Sequence, residues 1–293
     1  MNARQEYERW LAYEGLKEAE RKELLSIRDD EETVALRFGR GMSFGTAGLR
    51  STMYMGPACM NDYTVAQATG GIAALIRQEQ GAARGVAIAY DSRNHSEDFA
   101  RVCAEVLAAE GIRVYLFDAV RPTPELSFAV RALGCLAGIN ITASHNPKEY
   151  NGYKAYWEDG AQLSPEQSGI VANAISRIDV LGGTKRMPLA EALEKGLVTM
   201  LDEDFDEIYL AAVAKTAIDR EAIAAVADEL KIVYTPLHGA GHRLVPEILK
   251  RAGLRHLYPV EEQMVLDGNF PTVKSPTPNM RMCLHLAPSW RKG

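Results

Sequence analysis

The sequence lacks the features that mark membrane-spanning, disulfide-rich and nucleic-acid-binding proteins. Its 293 residues contain no apolar run that approaches the ~18–20 residues of a membrane span. The first residues are polar, which is not typical of a signal peptide. Only four cysteines are present and none forms a C-x-x-C pair, so neither a disulfide framework nor a zinc site is indicated. The formal net charge of −6 provides no general attraction to nucleic acid or to an anionic membrane. We therefore expect a cytoplasmic protein without nucleic-acid or membrane partners, in which a local group of cations holds any anionic ligand.

The residues that are present predict an α/β fold. The chain is 47% hydrophobic and 25% charged, which is typical of a globular protein, and its length favours about two domains. Short apolar runs alternate with stretches whose apolar residues recur at helical spacing. The runs of strand type in the first part of the chain are 86–90, 112–117, 136–142 and 153–157. This alternation predicts a mixed, mainly parallel sheet with helices on both faces, followed by a second, truncated α/β domain.

The pattern also predicts the domain boundaries. Residues 1–40 are interpreted as an N-terminal helical extension with one amphipathic helix from Arg4 to Ile27. An α/β domain is expected over 41–185, followed by a linker. The second, truncated α/β domain is expected over 200–279, and an atypical tail over 280–293.

The most informative segment is TASHNPKEYNGYK, residues 142–154, which follows a predicted strand. Loops at the carboxyl ends of strands bind ligands in open α/β sheets. Asn151-Gly152 predicts a tight reversal that returns Lys154 to the side of the loop. The hydroxyl of Ser144, the imidazole of His145 and the ammonium of Lys154 would then lie together. Two other readings are a polar surface loop and a serine hydrolase site; the second is disfavoured because no G-x-S-x-G elbow is present.

Two further loops carry arginines. FGTAGLR, residues 44–50, has two glycines that permit close approach to a ligand and ends in Arg50. YDSR, residues 90–93, follows a predicted strand and ends in Arg93. If both arginines converge on Ser144 together with His145 and Lys154, the net-acidic protein gains a local positive site suited to a bound or covalent phosphate.

These motifs resemble those of a known family. FGTAGLR, YDSR and TASHNPKEYNGYK are similar to signatures of the α-D-phosphohexomutases (phosphoglucomutase/phosphomannomutase), with most similarity to the phosphoglucomutase-2-like branch. YTPLHGAG, residues 234–241, and DGNFPT, residues 267–272, resemble the second domain of that family. The resemblance runs from about Phe44 to Asn279.

The resemblance implies an intramolecular phosphotransferase that moves a phosphoryl group between the 1- and 6-positions of a sugar through a phosphoserine and a bisphosphate intermediate. Ser144 matches the serine that carries the phosphoryl group, and its phosphate would be one ligand of Mg²⁺. His145 and Lys154 match residues that assist proton transfer, and Arg50 matches one that steadies the transferring group. Arg93 is expected to bind phosphate. The implied partners are a phosphosugar substrate and a sugar bisphosphate that serves as primer.

One family motif was not found in the sequence, a metal-binding loop of the type D-x-D-x-D-R. Residues 202–206 have this spacing, but Glu207 stands where the arginine belongs, and the segment reads as the acidic first turn of a helix. Residues 280–293 show neither helical nor strand periodicity and resemble a frameshifted or alternatively terminated end. We therefore expect the N-terminal half of a mutase with little or no activity by itself. The alternative is a non-catalytic remnant that acts as a phosphate-binding or interaction module.

Overall fold

The structure is a computed structural model that describes residues 2–46, 48–273 and 276. The segment predicted as an atypical tail, 280–293, lies outside the described residues. The helices are α1 (Ala3–Leu11), α2 (Glu18–Ser26), α3 (Glu31–Phe38), α4 (Asp62–Gln78), α5 (Ser96–Ala109), α6 (Thr123–Ala132), α7 (Pro165–Ile175), α8 (Leu189–Glu194), α9 (Glu203–Ala214), α10 (Arg220–Val226), α11 (Leu244–Arg251) and α12 (Glu261–Met264). The strands are β1 (Gly48–Thr52), β2 (Val86–Tyr90), β3 (Val114–Phe117), β4 (Ala137–Ile141), β5 (Tyr150–Trp157), β6 (Val198–Leu201), β7 (Lys231–Tyr234) and β8 (His256–Pro259).

Six of the strands form one sheet in the order β1-β5-β4-β2-β3-β6. The pairs β4–β2, β2–β3 and β3–β6 are parallel, whereas β5 is antiparallel to both β1 and β4. The predicted mixed, mainly parallel sheet is thus confirmed.

Helices cover both faces of this sheet because its central strands are apolar on both sides. In β2, Val86 and Ile88 belong to the larger buried cluster, which also contains residues of α4, α5, α7 and α8. Ala87 and Ala89 face the opposite side, where α6 and Phe205 of α9 complete a smaller cluster. Alternate residues of one strand therefore anchor two helical layers.

The N-terminal extension contains three short helices, so the prediction of one helix from Arg4 to Ile27 is wrong. Helix α1 ends at the cap residue Ala12, and α2 begins after Lys17, whose backbone N–H donates to Glu20 Oε2 at 2.9 Å. The extension has its own buried cluster, in which the fully buried Trp10 contacts Phe38 edge-on with ring centroids 5.9 Å apart.

The segment predicted as a linker after residue 181 contributes to the first sheet. Helix α8 packs beside α5, and β6 pairs with β3 from Val114↔Val198 to Phe117↔Leu201. The short strand β6 has the sequence VTML, in which only the two end residues, Val198 and Leu201, are buried. The sixth strand was missed because its stability depends on pairing with a distant strand.

A second unit follows, with the parallel strands β7 and β8 and the helices α9 to α12. Helix α9 begins where the acidic segment was predicted to start a helix, with Asp202 as the N-cap that accepts from the Asp204 N–H at 3.1 Å. Among the described residues, no helix is both long and apolar enough to cross a membrane.

Candidate active site

Residues 142–149 form the loop between β4 and β5, here called the serine loop. The buried β4 ends at Ile141, and Asn146 N–H then donates to the Ala143 carbonyl at 3.1 Å, which folds the chain back toward β5. The prediction of a tight reversal at Asn151-Gly152 is wrong, because both residues lie inside β5. A Cβ atom on Gly152 would lie 2.6 Å from the Thr142 carbonyl oxygen, so glycine here serves close strand packing rather than a turn.

Ser144 is exposed at the tip of this loop and has an unusual backbone. Its φ of 59° is in the left-handed region, which costs a non-glycine residue on the order of 1 kcal/mol. Its N–H donates to Thr142 Oγ1 at 3.0 Å, and its Oγ lies 3.1 Å from Nδ1 of His145. The predicted pair of hydroxyl and imidazole is therefore within hydrogen-bonding distance.

Arg93 lies beneath the serine loop and is almost fully buried. Its Nη1 donates to the carbonyls of Pro147 at 2.9 Å and Tyr150 at 3.1 Å. Its Nη2 donates to the carbonyls of Ser144 at 3.0 Å and Asn146 at 2.7 Å. The structure thus brings Arg93 to the site with its terminal nitrogens bonded to the loop backbone; phosphate binding by this side chain stays a prediction.

Asp91 is a site residue that was not singled out in the sequence, although it follows β2 directly in the YDSR motif. Its Oδ2 lies 3.3 Å from Arg93 Nε as an ion pair, and its Oδ1 accepts from the Ser96 hydroxyl at 2.7 Å. Burial raises the pKa of Asp91, whereas a hydrogen bond from Thr142 and the charge of Arg93 oppose the rise. Asp91 therefore holds Arg93 in position from below.

Arg50 and Lys154 lie on neighbouring strands at the edge of the loop. Arg50 pairs with Gly152 across β1 and β5, so it shares a face of the sheet with Lys154, two residues further along. Arg50 Nη1 donates to Asn146 Oδ1 at 3.0 Å. Burial lowers the pKa of the half-buried Lys154, and the Arg50 charge lowers it further, while Asp91 opposes this. Arg50 and Arg93 therefore contact the serine loop directly, and Lys154 lies beside Arg50 on the same face of the sheet.

Two cavities border the site. One of about 240 Å³ lies between Ser144 and the Gly239-Ala240 segment of the second unit, and it is bordered by Asn140, whose buried Oδ1 has no hydrogen-bond partner among the described residues. Another of about 820 Å³ lies between α3 and β1 and reaches Arg50. The first cavity therefore reaches the serine loop at Ser144, and the second reaches the site at Arg50.

The described residues do not fit a metal site. Within 2–46, 48–273 and 276, no three His, Cys, Asp or Glu side chains are grouped to hold a metal ion. His238, in the YTPLHGAG motif, is buried, with Nδ1 2.8 Å from the Val265 carbonyl and Nε2 2.8 Å from Thr272 Oγ1. Its contacts stabilise the second unit.

Comparisons with known proteins agree with this architecture. The family model described as phosphoglucomutase/phosphomannomutase, alpha/beta/alpha domain I, matches residues 41–181, and that of domain II matches 207–291. A phosphoglucomutase from Staphylococcus haemolyticus is 38% identical over 264 residues, which are 88% of this chain and 46% of that protein. A phosphopentomutase from Homo sapiens is 35% identical over 273 residues, which are 87% of this chain and 42% of that protein.

A solved structure from Thermus thermophilus, assigned to the phosphomannomutases, superposes with a TM-score of 0.69 at 26% identity and covers 86% of this chain and 52% of that chain. This chain thus spans about half the length of the relatives it matches. Each of the two family models matches one of the two α/β units described above. The chain belongs to the α-D-phosphohexomutase (phosphoglucomutase/phosphomannomutase) family and carries its first two domains.

Proposed function

We propose that this chain carries the phosphoserine part of a phosphosugar mutase site. Ser144 takes up a phosphoryl group from a sugar bisphosphate and returns it to a sugar monophosphate, so that phosphate moves between the 1- and 6-positions of a hexose, or the 1- and 5-positions of a pentose. The similarity to proteins named phosphoglucomutase and phosphopentomutase supports this substrate class.

The transfer requires that one bond forms while another breaks, and that one proton is accepted while another is donated. The Ser144 Oγ forms a bond to phosphorus while the P–O bond to the sugar breaks. The hydroxyl proton passes to a nearby base, for which His145 Nδ1 at 3.1 Å and the amine of Lys154 with its lowered pKa are the candidates. The sugar oxygen that leaves takes up a proton. Return of the phosphoryl group to the other sugar hydroxyl reverses these events.

Cations around the loop match the charge that develops. Phosphoryl transfer asks a protein mainly for alignment and for positive charge near the equatorial oxygens. Arg50, which donates to Asn146 of the serine loop, and Lys154, on the same face of the neighbouring strand, are the side chains to which we assign this charge. We include Mg²⁺ in the proposal as a family expectation, with the Ser144 phosphate as one ligand, but the described residues supply no carboxylate cluster for it and no step depends on it here.

The observation that carries this proposal is the exposed hydroxyl of Ser144 within hydrogen-bonding distance of an imidazole and on a loop bordered by cations. Because the chain spans about half the length of its relatives, the test follows the phosphoryl group itself rather than turnover. Intact mass of the protein purified from cells, or treated with glucose 1,6-bisphosphate, is expected to show an added mass of about 80 Da that maps to Ser144.

Glucose 6-phosphate is expected to remove that mass, and Ser144→Ala is the matched control that never gains it. A chain that carries no phosphate from cells and gains none from hexose or pentose bisphosphates contradicts the proposal.

A further inference from the structure

The guanidinium group of Arg93 contacts two parts of the molecule at once. On one side it donates to four carbonyls of the serine loop and the start of β5, as described above. On the other side it faces the ring of Phe270, with Cζ 5.2 Å from the ring centroid. Phe270 belongs to the second unit and is buried. Arg93 is therefore the bridge between the second unit and the loop that carries Ser144.

The turn that delivers Phe270 fits closely against the first domain. Residues 267–270 form a turn, in which the Phe270 N–H donates to the Asp267 carbonyl at 3.1 Å. A Cβ atom on Gly268 would lie 2.4 Å from the Asn94 backbone nitrogen, so only glycine permits this approach. Asn94 Nδ2 donates to Asn269 Oδ1 at 3.2 Å. The DGNF motif, residues 267–270, thus forms a turn that packs against the first domain and places the Phe270 ring over the Arg93 guanidinium.

The serine loop needs such support. Ser144 holds a left-handed backbone, which other contacts must stabilise. Carbonyl oxygens repel a phosphate, and four of them in this stretch point at Arg93 instead. A planar guanidinium has donors on both sides to hold four carbonyls, whereas a lysine ammonium has three donors at one point.

We propose that Arg93 is a positioning residue for Ser144 and that Phe270 holds Arg93 in place, so that the second unit sets the conformation of the serine loop. The part concerning phosphate transfer rests on the proposed function, whereas the part concerning loop order does not. The predicted phosphate-binding role of Arg93 is not needed for either part.

Loop order is measured by backbone hydrogen exchange in the full chain, with Arg93→Lys, Phe270→Leu and the double variant. We expect Arg93→Lys to speed exchange at the amides of residues 144–146 by about ten-fold or more, because charged hydrogen bonds are lost. Phe270→Leu keeps an apolar side chain but removes the ring face, and we expect a rise of about two- to five-fold. In the Arg93→Lys background, Phe270→Leu is expected to add less than two-fold.

The matched control is Arg121→Lys. Arg121 is as deeply buried as Arg93 and also joins the first domain to the second unit, through an ion pair with Asp206, but among the described residues it makes no hydrogen bond to the serine loop. It is expected to leave loop exchange unchanged. Exchange at Ile88 in the buried β2 reports global opening in every variant.

Phosphate uptake supplies the second readout. With glucose 1,6-bisphosphate, Arg93→Lys is expected to lower the maximal rate of Ser144 phosphorylation by about ten-fold or more, while the donor concentration at half-maximal rate changes little, because the loop and not the donor contact is altered.

Unchanged loop exchange in Arg93→Lys overturns the inference, and so does an effect of Phe270→Leu that is equally large with and without Arg93. Should Arg93→Lys fail to fold, Phe270→Leu against the wild type decides alone. Loop exchange that responds as expected in a chain that never accepts phosphate supports the inference and contradicts the proposed function.

Discussion

The Oγ atom of Ser144 lies 3.1 Å from Nδ1 of its own neighbour His145. Adjacent side chains of an extended strand point to opposite faces. Here both side chains nevertheless reach the same side of the loop, at a residue whose φ of 59° shows that the chain is not extended. The contact on which the proposed proton transfer depends therefore belongs to a non-extended part of the serine loop.

Replacement of His145 by alanine is expected to slow phosphorylation of Ser144 by about 10²-fold, since a positioned acid or base contributes that much or more. The phosphate acceptor itself remains, so the slow product still maps to Ser144. The measurement is the time course of mass gain with glucose 1,6-bisphosphate. His256→Ala is the control, because His256 lies in β8 of the second unit and contacts the Asp228 carbonyl. An unchanged rate in His145→Ala would remove His145 from the proposed mechanism.

Lys154 is expected to impose a pH dependence on the same reaction. Burial and the Arg50 charge lower its pKa, so its neutral, proton-accepting form becomes populated below the ordinary pKa of lysine. The rate is therefore expected to rise with pH through the pKa of Lys154. Arg50→Gln removes a neighbouring positive charge, raises that pKa and moves the rising limb to higher pH. Lys154→Met is expected to abolish the limb, and a limb that persists in this variant assigns it to another group.

Glu125 is expected to make stability fall as pH rises. It is fully buried beside Asp206, and burial together with that carboxylate raises its pKa to about 8 from an ordinary 4.5. Arg121 and Arg243 oppose the rise. The folded chain keeps this proton up to about pH 8, whereas the unfolded chain releases it near 4.5. The contribution of Glu125 to the free energy of unfolding is therefore largest below pH 4.5 and declines as pH rises to 8.

Urea unfolding between pH 5 and 9 measures this decline, which we expect to be on the order of a few kcal/mol. Glu125→Gln is neutral at every pH and is expected to flatten the profile. Glu194→Gln, at an exposed position of α8, is the control that keeps the decline. A parallel decline in Glu125→Gln and the wild type assigns it to other groups.

Trp10 is expected to anchor the N-terminal extension. It is fully buried, and its ring lies edge-on to Tyr63 of α4 at 5.5 Å as well as to Phe38. Trp10→Ala is expected to lower the free energy of unfolding by about 3–5 kcal/mol, because it leaves a large cavity. Leu36→Ala in α3 removes a side chain that is 69% exposed and is expected to change it by less than about 0.5 kcal/mol. Equal, small effects of both changes would mean that the extension contributes little to stability.

The sequence predicts well those elements whose signal is local. Strand β2 has the predicted bounds, because its apolar run between Gly85 and Asp91 is read directly from the residues. Strand β1 was instead predicted as a loop, since Gly48–Thr52 has no apolar run and becomes a strand only by pairing with β5. Pairing between distant segments leaves no mark in either segment alone.

The same distinction applies to the site. Ser144, His145, Arg50 and Lys154 could be proposed from the sequence because their side chains stand in recognisable motifs. The contacts of Arg93 with the loop were not foreseen, because its partners are backbone carbonyls, which every residue possesses. Asp91 was overlooked because its place beneath Arg93 depends on how β2 and the loop pack together.

Threonine is a poor substitute at position 144, although it offers the same hydroxyl group. At a φ near 59°, the branched Cβ of threonine clashes with the backbone of the same residue. Serine is tolerated at this φ, and glycine adopts it without strain. The backbone geometry of the loop therefore favours serine over threonine, the other residue with an aliphatic hydroxyl, independently of the reaction.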